Sequence, residues 1–162
     1  MPSTGQSSSP QGLRKILGDL IDASGAMTVL VVTKEGAALA AAGNTSYMNT
    51  TAMAALVAGM FSATREVARM VGEHQFSILL QQGESRHIHI SLVTDATMMV
   101  IVFEDYQRIG RVRLEARKAG EQLAAFLAAD RSRDRARDDL AAPQFKEYAL
   151  NLIDSIFVSK GV

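Results

Sequence analysis

Three histidines and one pair of carboxylates are the residues of this 162-residue chain whose types and spacing could do chemistry. His87 and His89 stand two apart in a stretch that alternates polar and apolar residues. A strand would aim both at one face, where His74 could in principle complete a metal site. A strand surface explains the pair equally well and no further ligand is fixed nearby, so no metal is expected. Glu104-Asp105 could serve as an acid and a base, but adjacent side chains usually diverge, and acidic residues ahead of a helix more often favour its dipole. Arg108, Arg111, Arg113, Arg117 and Lys118 form a basic cluster that could meet an anionic partner or simply be solvated.

Several chemistries are missing. There is no GxxxxGK phosphate loop, no GxGxxG after a strand, no GxSxG elbow and no cysteine. Tight nucleotide binding and serine hydrolysis are therefore not expected of this chain, and disulfides and thiolate chemistry are excluded. No catalytic residue and no cofactor is assigned. A small-molecule sensor using the sheet is the weakest reading, because no polar cluster marks a pocket. Seventeen basic residues balance seventeen acidic ones, which removes any global argument for nucleic acid or an anionic membrane. With 48% apolar residues and 6% aromatic ones, the core must be aliphatic and methionine-rich. No apolar run approaches the roughly 20 residues of a membrane span, and no signal peptide is apparent. A cytoplasmic protein without membrane insertion is expected.

The elements that must position these residues follow from periodicity. Residues 1–9 are rich in serine and glycine and read as a disordered tail. Pro10 suits the first turn of a helix capped by Ser9, with Leu13, Ile16, Leu17, Leu20 and Ile21 on one face. Met27–Thr33 and Ala37–Ala42 flank turn residues Lys34-Glu35-Gly36 and form a hairpin. Phe76–Gln82, Arg86–Thr94 and Thr97–Phe103 form an antiparallel meander. MTVLVVT and TMMVIVF are apolar on both faces, as central strands are, whereas RHIHISLV alternates. The expected five-stranded antiparallel sheet therefore has the order 2-1-5-4-3, with strand three at an exposed edge open to a second copy.

The longest helical signal, Met48–His74, separates hairpin from meander. Asn49 is placed to cap it, Met48 and Met53 to staple it, and Gly72 to end it. Met53, Leu56, Val57, Met60, Val67 and Val71 fall in one arc, read as the face on the core. Opposite them stand the small residues Ala55, Gly59 and Ser62, with Glu66. Glycine in mid-helix costs about 1 kcal/mol relative to alanine, so close approach of another backbone is the return expected at Gly59. A third helix spans Gln107–Ala129. The stretch 130–143, DRSRDRARDDLAAP, is a charged linker or a solvated helix extension. Residues 144–158 form a terminal amphipathic helix carrying Phe145, Tyr148, Ala149, Leu152 and Ile156. The fold class is thus α+β, order α-β-β-α-β-β-β-α, with one helix on one face of the sheet and two on the other. The domain covers residues 10–129.

Residues 27–127 resemble the Roadblock/LC7 family, and within it the MglB-like regulators of small GTPases. The resemblance rests on VLVVTKEGAALAAAG, NTTAMAALVAGMFSATREVARMVGEHQF, QQGESRHIHISLV and MMVIVFEDYQRIGRVRLEARKAGEQL, with TTAMAALVAG, MVGEHQF and QQGE the most telling blocks. The terminal NLIDSIF resembles the MglB-like C-terminal helix, in which an Ile-Asp-x-hydrophobic-Phe pattern becomes Ile153, Asp154, Ile156 and Phe157 here. The resemblance implies a homodimer joined through strand three and the long helix, with Ala52, Ala55, Gly59, Phe76 and Ile78 at the interface. It implies a partner too: an MglA-type Ras-like GTPase in its GTP state, bound across the paired helices by Ala55, Gly59, Ser62 and Glu66. Arg111 and Arg113 would support that contact, and Ile153, Asp154 and Phe157 would grip a separate part of the GTPase. Such a regulator supplies no catalytic residue and speeds hydrolysis by shifting the GTPase's own groups. The cellular role implied is polarity or gliding motility, with recruitment to a cell pole. Ser62 and Glu66 stand where the MglB-like pattern has alanine and glycine. The alternative is a Roadblock scaffold in a polarity or motor complex without GTPase-activating activity.

Overall fold

The computed structural model describes residues 10–158, with side chains other than those at 141, 142, 144–146 and 154–158. Among the described residues three α-helices, one 3-10 turn and five strands follow in the order α1 (Pro10–Ser24), β1 (Thr28–Thr33), β2 (Ala38–Gly43), α2 (Thr50–Met70), β3 (Ile78–Gln82), β4 (His87–Thr94), β5 (Thr97–Phe103), the 3-10 turn at Tyr106–Arg108, and α3 (Ile109–Val158). The cap proposed for α1 at Ser9 lies outside the described residues.

The sheet is antiparallel in the order β2-β1-β5-β4-β3, as the apolar patterns require. The central strands β1 and β5 are buried on both faces because each face has its own helical cover. Val29, Val31, Met99, Ile101 and Phe103 pack under α1 and the first part of α3, through Leu13, Leu17, Leu20, Val112, Ala116, Ala119 and Leu123. Leu30, Val32, Ile90, Met98 and Val100 pack under α2. One helix therefore covers one face and two cover the other. Where α1 meets α3 the approach is close: a Cβ on Gly12 would stand 2.8 Å from the ring of Phe126.

The ends of α2 are written locally. The Asn49 side chain accepts a hydrogen bond from the amide of Ala52 at 3.0 Å. At the other end the amide of Glu73 donates to the Ala68 carbonyl at 2.8 Å, and that of Gly72 to Arg69 at 3.2 Å. This Schellman pattern needs a left-handed residue, and Gly72 supplies it with φ of 82°.

The face of α2 that meets the sheet differs from the sequence expectation. Ala54, Val57, Ala58, Phe61 and Ala68 are buried, Met53 and Met60 only partly so, while Leu56, Val67 and Val71 are 70%, 52% and 66% exposed. The buried arc is turned about a quarter of the helix circumference from the apolar one. The cause is distance: alanines at 54 and 58 let the helix lie low over the sheet, and a Cβ on Gly36 in the β1–β2 turn would come within 3.2 Å of Ala55 Cα. The larger apolar side chains are displaced outward.

Residues from Leu127 onward form a second unit, described by itself. The stretch 130–143 is helical, the solvated extension of the two readings left open, and Pro143 stands inside the helix, which continues through 144–158. Leu140, Tyr148, Leu150, Leu152 and Ile153 are exposed on it. Among the described residues, no helix is long and apolar enough to cross a membrane.

Candidate partner-binding surface

The outer face of α2 carries two strips. On the flank toward β3 lie Leu56, Met60 and Val67, with the 86%-exposed Met70 beside them. Met60 marks that flank, since its Sδ accepts from Gln81 Nε2 of β3 at 3.1 Å. On the flank toward the β1–β2 turn lie Ala55, Gly59, Ser62 and Glu66, all exposed or partly so. Ala52 is exposed between the strips. A Cβ added at Gly59 would meet nothing within 4 Å, so no contact among the described residues accounts for glycine there. Glu66 pairs with Arg69 one turn on, Arg69 Nη1 to Glu66 Oε1 at 2.9 Å, with both side chains largely solvated.

Next to the apolar strip, β3 pairs among the described residues with β4 alone and so ends the sheet. On β3, Leu79 and Gln81 turn toward α2, while Ile78 and Leu80, 43% and 37% exposed, share the opposite face with His89 and Ser91; Phe76 just before the strand is partly buried. A short edge strand with open backbone hydrogen-bonding groups beside an apolar helix strip is a surface that water covers poorly.

The basic candidates lie elsewhere. Arg111 and Arg113 are on α3, across the sheet from α2, so a single protomer does not bring them together with Ala55, Gly59, Ser62 and Glu66. Arg111 Nε donates to the carbonyl of Ala23 at 2.8 Å and closes the C-terminus of α1. Arg113 instead stands close enough to His89 for its charge to act on the imidazole. Ile153 is exposed in the second unit, and the side chains of Asp154 and Phe157 lie outside the described ones.

The residues considered for chemistry also find places. His87 is buried against the rings of Phe103 and Tyr106, at centroid distances of 5.3 and 5.1 Å. His74 is exposed in the loop after α2, and among the described residues no three His, Asp or Glu side chains are grouped to hold a metal ion. Glu104 and Asp105 diverge: Glu104 faces Arg86 at 3.6 Å, while Asp105 accepts from the Gln107 amide at 3.0 Å and caps the 3-10 turn. Sequence reasoning missed the exposure of Leu56, Val67, Met70 and Val71. The signal that could have found it was a second helical series, Ala54, Ala58, Phe61 and Ala68, equally periodic but built mainly of alanine.

Residues 13–103 match the Roadblock/LC7 domain. Among solved structures, Myxococcus xanthus MglB is similar with 26% identity and a TM-score of 0.72, over 75% of this chain and 98% of that one. The gliding protein MglB of Thermus thermophilus is similar at 26% identity and TM-score 0.67, over 78% and 96%. A Roadblock/LC7 domain from Streptomyces avermitilis shares the fold at 15% identity and TM-score 0.53, over 74% and 94%. No curated protein matches the sequence. The match over most of the two-layer core, and the two MglB structures that share it, place this chain in the Roadblock/LC7 family as an MglB-like member.

Proposed function

We propose that this protein is a dimeric, non-enzymatic regulator of a small Ras-like GTPase of the MglA type, and that it accelerates GTP hydrolysis by that partner. The observation that carries the reading is the outer face of α2, where an apolar strip runs beside an unpaired edge strand and a strip of small residues runs parallel to it. Two kinds of strip suit two kinds of contact. Leu56, Val67 and Met70 with the β3 edge suit a second copy, whose β3 would continue the sheet across a twofold axis. Ala55, Gly59 and Ser62 suit a partner that must come close to the helix backbone. The likeness to MglB structures and the absence of a phosphate loop both favour a regulator over the switch itself.

The experiment is single-turnover GTP hydrolysis by the Ras-like GTPase of the same genome, with and without this protein, repeated on a variant ending at Asp130. Acceleration by the full chain, weakened by truncation, is the expected result and gives the residues after Asp130, Ile153 among them, a part in gripping the GTPase. Binding without acceleration would move the protein to the scaffold class, and absence of binding would remove the GTPase from the reading.

A further inference from the structure

On the face of the sheet opposite α2, the first part of α3 does not reach β3, and a half-open groove of about 580 Å³ lies between the helix and strands β3 and β4. Its volume falls in the range of small-molecule sites, about 300–1,000 Å³. Its floor holds an anomaly. His89 is 1% exposed, yet neither ring nitrogen has a hydrogen-bond partner among the described residues. A buried polar atom left unpaired costs on the order of 1–3 kcal/mol, so a group entering the groove would find hydrogen bonds unmade. Ser91 lies two residues along the same strand face, and Arg113 hangs over the groove from α3 with no ion-pair or hydrogen-bond partner among the described residues. Ile78, Val93 and Leu114 supply apolar lining.

The geometry points to a binding site for a small amphiphilic carboxylate, its head at Arg113, His89 and Ser91 and its aliphatic body along Ile78, Val93 and Leu114. The charge argument selects an anion: of the charged residues lining the groove, Arg117 faces Glu121 at 3.9 Å, which leaves Arg113 as the cation without an ion pair among the described residues, and a guanidinium prefers a planar, bidentate carboxylate. Burial, and next the charge of Arg113, lower the pKa of His89 below 6.5 and keep the ring neutral. A neutral imidazole offers one donor and one acceptor, which a carboxylate and the Ser91 hydroxyl can take up. The apolar lining excludes a bare anion as the preferred occupant, because such a ligand would leave Ile78 and Leu114 wet. This site lies on the face of the sheet opposite α2 and does not rest on the GTPase reading, though it shares Ile78 of β3 with the edge proposed to meet a second copy.

Octanoate is the probe, titrated by calorimetry into the full-length protein below its micelle concentration. Acetate carries the head without the body, and octanol the body without the head. Octanoate should bind at least about tenfold more tightly than either, and Arg113→Met should weaken it by about tenfold while leaving octanol unaffected. The Arg113 side chain is solvated, so that variant does not threaten folding, and nitrogen NMR of the His89 ring gives a second reading: octanoate should shift it, and acetate far less. Octanoate binding no better than octanol, or equally well to Arg113→Met, overturns the proposal. So does the absence of binding at low millimolar octanoate.

Discussion

Arg111 Nε donates to the carbonyl of Ala23 at 2.8 Å, joining the start of α3 to the end of α1 across 88 positions of sequence. A residue that read as a partner contact in the sequence thus spends its best-directed donor inside the fold. Arg111→Met should lower stability to urea by about 1 kcal/mol, the usual worth of one such bond. It should leave GTPase activation unchanged, and a loss of activation without loss of stability would restore Arg111 to the interface.

Gly59 and Gly72 sit near the middle and just past the end of one helix, and should respond oppositely to alanine. At Gly59 a Cβ meets open space, so Gly59→Ala should stabilise the fold by up to about 1 kcal/mol while weakening whatever comes close to α2. At Gly72 the left-handed φ of 82° penalises any Cβ, and Gly72→Ala should destabilise by about 1 kcal/mol. Chemical denaturation reads both, and GTPase binding read in parallel separates them.

Leu56 and Val67 are exposed on the apolar strip and contribute little to the core of one chain. Leu56→Glu with Val67→Glu should keep the circular dichroism spectrum and shift the mass in solution from dimer toward monomer. Light scattering after size exclusion measures this. An unchanged mass would sink the assignment of this strip to a second copy.

Glu66 and Arg69 form a solvated pair worth about 0.3–0.5 kcal/mol at most. Glu66→Ala should therefore barely alter stability. By removing the one charged side chain of the small strip it should raise affinity for the GTPase, measured by fluorescence titration. Reduced affinity would instead identify Glu66 as a specific contact.

His89 predicts a pH dependence with a definite sign. Its pKa in the fold is lowered from 6.5 by burial and by Arg113, so in the window just below 6.5 the unfolded chain holds more protons than the folded one. Stability is then complete above about pH 6.5 and falls as the pH drops, levelling only where the folded imidazole also protonates. Urea midpoints at about pH 7.5 and about pH 5.5 should differ, and His89→Gln should reduce the difference.

Much of this protein is set by short-range pattern. The order of the sheet follows from which strands are apolar on both faces, because a strand covered on both sides has no polar face to show. The limits of α2 follow from Asn49 and Gly72, because caps act on backbone groups within a turn. The loop between β5 and α3 is equally local, with Asp105 as its cap. What the sequence alone decided wrongly was which arc of α2 faces inward. Periodicity gives the angle between residues and not the angle of the helix about its own axis; that angle was settled by how low Ala54 and Ala58 allow the helix to sit over the sheet. The approach of the Arg113 charge to His89 and the bond from Arg111 to Ala23 were likewise decided only in three dimensions. Those partners meet because α1 and α3 pack on one face of a sheet whose strands are distant in sequence, and no local pattern encodes that meeting.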